Sequence, residues 1–266
     1  MPVEMKDWAG LLKDRRSDAA DTELKLPLER SKNGGSGAFR ARGMDDQEYF
    51  VKPLNNSHGA RILVAEQVVG RVGALIDGPT CSVRRITIGD DHVGWQYTEG
   101  GLKLERGIAH ASTAIEGCFE LRPPLQYRSD DDNARRHAQI YALYDWCWGA
   151  DTQWLVAELE ERRYYSHDHG FYFPPEGVNW SIADLQSNVG VAREFSESYA
   201  GLRRQHVEEV AQALEGVTRA ALADALAAIP TSWPASDEEL ECIGYFLEHR
   251  ALDSAARMRT HLEGLP

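Results

Sequence analysis

Residues 31–75 read SKNGGSGAFRARGMDDQEYFVKPLNNSHGARILVAEQVVGRVGAL, and this stretch decides the fold. It contains a glycine turn, a short apolar run that carries a lysine, and a helical pattern with one acid among apolar residues. In YFVKPL, Lys52 lies near the end of a run typical of a strand. A lysine amid apolar neighbours either snorkels to water or is held by an acid. From 60 to 75, Ile62, Ala65, Val69, Val72 and Leu75 recur at helical spacing, with Asn56 or Ser57 as start signals and Gly78-Pro79 as the stop. Glu66 lies inside that helix, fourteen residues after Lys52, and a charge in such a setting wants a partner.

Working outward, TELKLPLER (22–30) alternates apolar and polar residues, and AFRAR continues the pattern beyond the glycine turn. CSVRRITI and VGWQYTE supply two more expected strands. The second half is mostly helical. ARRHAQIYALYDWCWGA buries Ile140, Leu143, Tyr144 and Cys147 on one face, and residues 202–228 form two helices broken near Gly216. Ser236 with Glu239 makes a capping box that opens a last helix running to about His261. Between these, LVAELEERRYYSHDHGFYF reads as two short strands around a charged turn. The fold class expected is therefore α+β: a strand-rich N-lobe with one helix over 1–98, a helical C-lobe over 99–266, and a ligand cleft between them.

Composition narrows the function. The 266 residues are long enough to bury a large core, and a net charge of -13 with dispersed basic residues argues against tight binding of long nucleic acid. A single pocket can still hold a nucleotide where backbone N–H groups and a lysine converge. No run of eighteen apolar residues occurs, and the opening residues lack the pattern of a secretory signal, so no membrane partner and a cytoplasmic location are expected. Cys81, Cys118, Cys147 and Cys242 are scattered without a CxxC pair, which favours reduced thiols over disulfides or structural zinc.

Three further features carry chemistry. Gly34, Gly35 and Gly37 let a backbone approach a triphosphate, or form an ordinary hairpin turn; the string is not a Walker P-loop. Asp151, in YDWCWGADTQWLV, is a polar island among Trp146, Trp148 and Trp154; it either orients an acceptor hydroxyl or caps a turn. Asp168, seventeen residues later in SHDHGFYFP at an expected strand end, suits a Mg²⁺ ligand. His167 and His169 offer a rival transition-metal reading, although on a strand they would face away from Asp168.

SKNGGSG, FVKP, Glu66, Asp151 and HDHG, in this order, together resemble the HipA-like kinase family, over about Leu26 to Arg250. The resemblance implies a two-lobed protein-kinase-like fold that uses ATP and Mg²⁺ to phosphorylate a hydroxyl of a protein or small molecule. It implies that Gly34, Gly35, Ser36 and Gly37 cover the phosphates, that Lys52 and Glu66 pair, that Asp151 is the catalytic aspartate and that Asp168 holds metal. Tyr97, in GWQYTEG, would lie at the adenine hinge, and Ser36 would be an inhibitory autophosphorylation site. One departure stands out: the family's D-R-x-x-x-N loop reads Asp151-Thr152-Gln153-Trp154-Leu155-Val156 here, without the arginine and with valine in place of asparagine. Gln153, Asn179 or Asn188 are the candidates to replace that metal-binding amide. The alternative reading is a nucleotide-binding pseudokinase or a partner-binding module.

Overall fold

In β2 (Phe39–Gly43) and β3 (Glu48–Lys52), residues alternate between a buried and a more open side, as period-two side-chain geometry requires. Phe39, Ala41, Tyr49 and Val51 point to one side and are almost fully buried. The computed structural model describes residues 3–31, 35, 37–121, 126–150, 153–175, 178–193 and 201–262. β1 (Thr22–Glu29), β2, β3, β4 (Val83–Ile88) and β5 (Gly107–Thr113) close into a five-stranded barrel in the order β1-β2-β3-β5-β4. All neighbours are antiparallel except β1 and β4, whose parallel pairing of Thr22 with Ile86 and Glu23 with Thr87 closes the ring. Two irregularities in the β1 register, beside Leu26 and Pro27, bend that strand around the closure.

Helix α1 (Arg61–Leu75) covers the barrel. It is buried all round rather than on one face, because it packs against β4 and β5 on one side and α5 on another. Its first residue follows Ala60, which gives no side-chain cap. The expected caps act elsewhere: Asn56 donates to the carbonyls of Pro53 and Gly59, and Ser57 donates to that of Gly35. The helix also ends at Leu75, ahead of the Gly78-Pro79 stop.

Two sequence expectations need correction in this half. VGWQYTE does not form a strand of the barrel. It folds back on residues 102–104 with one isolated bridge, Gln96 to Lys103, and drives Tyr97 into the barrel interior beside Phe39. GIAHAST, unmarked by large apolar residues, is instead the strand β5 that joins β3 to β4. The division expected between 98 and 99 therefore precedes a strand that belongs to the barrel.

A second sheet has the order β6-β7-β8, formed by β6 (Cys118–Leu121), β7 (Trp154–Ala157) and β8 (Arg163–Ser166), all antiparallel. Around it lie α2 (Asn133–Trp146), α3 (Ile182–Asn188), α4 (Arg204–Glu215), α5 (Arg219–Ala227) and α6 (Asp237–Thr260). The break at Gly216 and the Ser236–Glu239 capping box are as the sequence suggested. α6 is the hub, touching α2, α3, α4 and α5. The segment before β1 straps onto it: Trp8 donates to Glu248 at 2.7 Å, and the Gly10 and Leu12 amides donate to the Glu241 carboxylate at 3.0 and 2.9 Å. Among the described residues, no helix is long and apolar enough to cross a membrane.

Three imidazoles, His110, His137 and His169, are buried with their pKa values lowered. Burial, helped by Arg128, pushes His137 down to about 3 from 6.5. Below pH 6.5 the unfolded chain therefore binds a proton that the folded chain refuses, so stability drops as pH falls from about 6.5 towards 3. The slope is about 1.4 kcal/mol per pH unit for each such group. His137→Phe keeps the ring against Trp154 and removes one of these groups. Thermal melts from pH 8 to 4.5 should show a shallower acid loss in the variant, and equal slopes would count against this account.

Candidate active site

Lys52 leaves the barrel on the side opposite Val51, because neighbouring strand residues point to opposite faces. Its ammonium meets Glu66 from α1 and Asp168 from the loop after β8, the latter at 2.5 Å. The second Glu66 oxygen accepts the backbone N–H of His169 at 3.0 Å, tying α1 to the same loop. Gly170 permits this approach: a Cβ there would lie 3.1 Å from Ile62 and 3.3 Å from the Glu66 carboxylate. Asp168 itself is in the left-handed region, φ 57°, which aspartate tolerates better than most residues. His169 turns inward, its Nε2 2.8 Å from the Ser166 hydroxyl.

Lys52 is 7 % exposed and Glu66 4 %, so the charges are paired largely out of water. For Lys52, burial opposes ionisation, but the attraction of Glu66 and Asp168 exceeds it and the ammonium titrates above its usual range. Burial raises Glu66 to about 7, despite the pull of Lys52, and the neighbouring Asp168 charge adds to the rise. Burial also works against Asp168, yet Lys52 outweighs it and holds that carboxylate well below 3.8. One ammonium thus serves two carboxylates, and Asp168 is the one that keeps its charge.

These groups lie at a cavity of about 340 Å³. Its barrel wall comes from the outward residues Arg40, Phe50, Lys52 and Ser112, with Val83 and Cys81 beside them. The facing wall comes from the second sheet, where Cys118, Glu120, Leu155 and Gln153 line the space. Thr113 and Ile115 connect the two walls, and Ser31 and Ala38, flanking the glycine turn, close one edge. A lysine ion pair and a carboxylate thus open onto a cleft of mixed apolar and polar lining.

Residues 27–259 match the family described as HipA-like kinase. The chain belongs to the HipA-like kinase family. Among solved structures it is similar to the Helicobacter pylori proinflammatory kinase CtkA, with a TM-score of 0.55 at 9% identity, over 92% of this chain and 98% of that one. It is also similar to the Golgi casein kinase, with a TM-score of 0.51 at 11% identity, over 98% and 77% of the two chains. At such identities the likeness concerns the fold, and the chain has a kinase-like α+β fold. No curated protein matches it in sequence.

The residues anticipated for this HipA-like kinase fare differently. Lys52, Glu66 and Asp168 meet, and Gln153 lines the cavity with them. Gly34, Ser36 and Asp151 lie outside the described residues; Gly37 is described and has φ 68°. Tyr97 is not at the cavity: it is wholly buried inside the barrel, its hydroxyl donating to the Asn55 carbonyl at 2.9 Å. The segment that connects the cavity walls runs from Thr113, the last residue of β5, to Ile115. Asn179 and Asn188 are not among the lining residues, and Asn188 donates to the Asp184 carbonyl at the end of α3. Val156 faces away, fully buried in β7 opposite Phe119 and Tyr164.

The strand argument about His167 to His169 also changes, since β8 stops at Ser166 and the trio lies in a loop. His167 lines the cavity while His169 is buried, and no cluster of three or more metal-binding side chains occurs among the described residues. All four cysteines are free, and Cys81 and Cys118 line the cavity. Phe50, Leu155 and Thr113 were missed. Phe50 was within reach of sequence reading, because period two from Lys52 puts it on the same face.

Removing the ammonium alone should leave two carboxylates close together in a poorly hydrated place. Lys52→Met is expected to destabilise the fold by about 3–5 kcal/mol. Adding Glu66→Gln to Lys52→Met should recover most of that loss, because one carboxylate is then neutral. Urea denaturation of the parent, both single variants and the double variant measures the coupling. Strictly additive effects would show that Lys52 does not bridge the two acids.

Proposed function

We propose that this chain is an ATP- and Mg²⁺-dependent phosphotransferase that acts on a hydroxyl of a protein or small molecule. The observation that carries the proposal is the Lys52 ammonium held between Glu66 and Asp168 at the cavity. Family membership supports the phosphotransferase class. The working division would be two lobes, the barrel with α1 above the cavity and the second sheet with the other helices below it.

The roles follow from chemistry and position. Lys52 would hold phosphate oxygens, with Glu66 fixing its direction. Gly34, Gly35, Ser36 and Gly37 would cover the phosphates with backbone N–H groups. Phe50 on one wall and Leu155 on the other are apolar surfaces suited to the two faces of a purine base. Asp151 would orient the acceptor hydroxyl and take its proton. The donor set fits Mg²⁺: Asp168 is a carboxylate 36% exposed, and Gln153 adds an amide oxygen, so both are hard oxygen ligands. The ion, when bound, neutralises phosphate charge; the few protein ligands suit a cation that keeps water and substrate oxygens around it.

A second reading, a nucleotide-binding pseudokinase, has one observation in its favour. Val156, at the position of the expected asparagine, points into the core. Register decides this: Leu155 faces the cavity, so Val156 cannot.

Transfer of labelled γ-phosphate from Mg-ATP, with Asp168→Ala and Asp151→Ala beside the parent, separates the readings. An active phosphotransferase releases or incorporates label, and each variant should lose at least about 100-fold, the scale of losing a positioned acid–base group. No label movement, with Mg-ATP still raising the melting temperature, supports the pseudokinase. No transfer and no nucleotide binding would overturn both.

A further inference from the structure

A second cavity, of about 190 Å³, lies among the helices and shares none of its described lining residues with the cavity at Lys52. Asp145 in the last turn of α2, Arg193 after α3 and Arg257 near the end of α6 line it. Tyr141 and Met258 form its apolar part, and the exposed Ala192 belongs to it as well.

Its charges do not balance. Asp145 is buried, and both of its carboxylate oxygens are taken. Oδ1 accepts from the Arg193 backbone N–H at 2.9 Å and from Arg250 at 3.2 Å, while Oδ2 accepts from Arg257 Nε at 2.8 Å. Arg250 and Arg257 therefore bring two positive charges to one negative, before the Arg193 guanidinium is counted. Asp253, the acid between them on α6, pairs with His249 at 3.3 Å and has only a minor influence on Arg250. Burial brings Arg250 down to about 10, Asp145 opposes the drop and Arg257 adds to it, as like charges held close must do.

Arg257 also has a donor to spare. Its Nε serves Asp145 and its Nη2 the Ser254 hydroxyl at 3.1 Å, which leaves Nη1 without a hydrogen-bond partner among the described residues. The side chain is 23% exposed, so the spare donor belongs to a guanidinium largely withdrawn from water, where an unmet N–H is costly.

An anion meets both needs. Its size is bounded, because the cavity lies below the roughly 300 Å³ at which pockets for drug-sized ligands begin. A phosphate monoester carries about −1.5 to −2 charges at neutral pH, enough to offset the surplus of Arg250 and Arg257 and to attract Arg193 as well. Arginine also matches phosphate oxygens two at a time.

We propose that this cavity binds a small phosphate monoester, held by Arg257 and Arg193 at the Asp145 end of α2. Its position gives the site a role. Arg193 donates through Nε to the Gly149 carbonyl at 2.7 Å, so an occupant that holds Arg193 also bears on the chain that leads to Asp151. The proposal stands apart from the nucleotide reading, because it concerns a different cavity.

Calorimetric titration of the full chain with O-phosphoserine, with inorganic phosphate and with acetate, at neutral pH and low salt, tests this. Arg257→Gln removes the spare donor. Ala192→Glu leaves the Asp145 hydrogen bonds in place and sets a negative charge at the cavity, so it serves even where Arg257→Gln disturbs folding. Both phosphate compounds should bind the parent saturably and acetate much more weakly. Each variant should lose about 10-fold in phosphate affinity, the scale of a hydrogen bond to a charged group. Absence of saturable phosphate binding in the parent would overturn the proposal. Undiminished binding in either folded variant would do the same, since the anion would then sit elsewhere, as would acetate binding as tight as phosphate.

Discussion

A single buried ammonium organises this protein. Lys52 on the barrel, Glu66 on α1 and Asp168 beyond the second sheet come from three separate places in the chain; Lys52 and Glu66 are largely removed from water, while Asp168 stays partly open to the cavity. Burying an unpaired ion costs several kcal/mol even after relaxation, so each of these groups depends on the others being present. The pairing therefore fixes where α1 lies against the barrel and where the Asp168 loop lies against α1. With two acids for one base, the balance of charge falls to Asp168, and Glu66 is pushed towards a shared proton. A site that lacks one positive charge for its two carboxylates is ready for a cation.

A second ionic knot holds the other side of the site. Arg250 on α6 is wholly buried and donates to the Trp146 carbonyl at 3.0 Å, to the Asp145 carboxylate at 3.2 Å and to the Asn188 carbonyl at 3.1 Å. Arg257 adds a 2.8 Å contact to the other Asp145 oxygen. Burial lowers the Arg250 pKa to about 10, with Asp145 resisting the drop, so the guanidinium remains charged at neutral pH. The last turn of α2, from which the chain proceeds towards Asp151, is thus pinned to the hub helix by carbonyl and carboxylate acceptors together. Rigid support beneath a loop is what positions a side chain for chemistry.

Much of this was legible from local patterns. β1 to β3, α1, the break at Gly216 and the capping box of α6 all rest on short-range rules, and those rules operate in the folded chain as they do in peptides. Lys52 and Glu66 were legible because each is a charge among apolar neighbours, and Asp168 because it stands at an expected strand end in the HDHG string of the resemblance. β5 was not, since GIAHAST carries small residues whose place in the barrel depends on strands on either side. Tyr97 was misplaced for a related reason. An aromatic between polar residues suits a binding surface and a barrel plug equally well, and only the fold-back onto residues 102–104 selects the plug.

The sequence by itself determined the order of strand and helix segments, the family, and the three charged residues that need one another. Tertiary structure alone decided that the first sheet closes, because a parallel pairing between β1 and β4 joins segments about sixty residues apart. It also decided which residues face the cavity. The register of β7 turns Leu155 in and Val156 away. Local preference acts over a few residues, whereas closure, register and the facing of side chains are set by contacts between distant segments, which a pattern read along the chain does not contain.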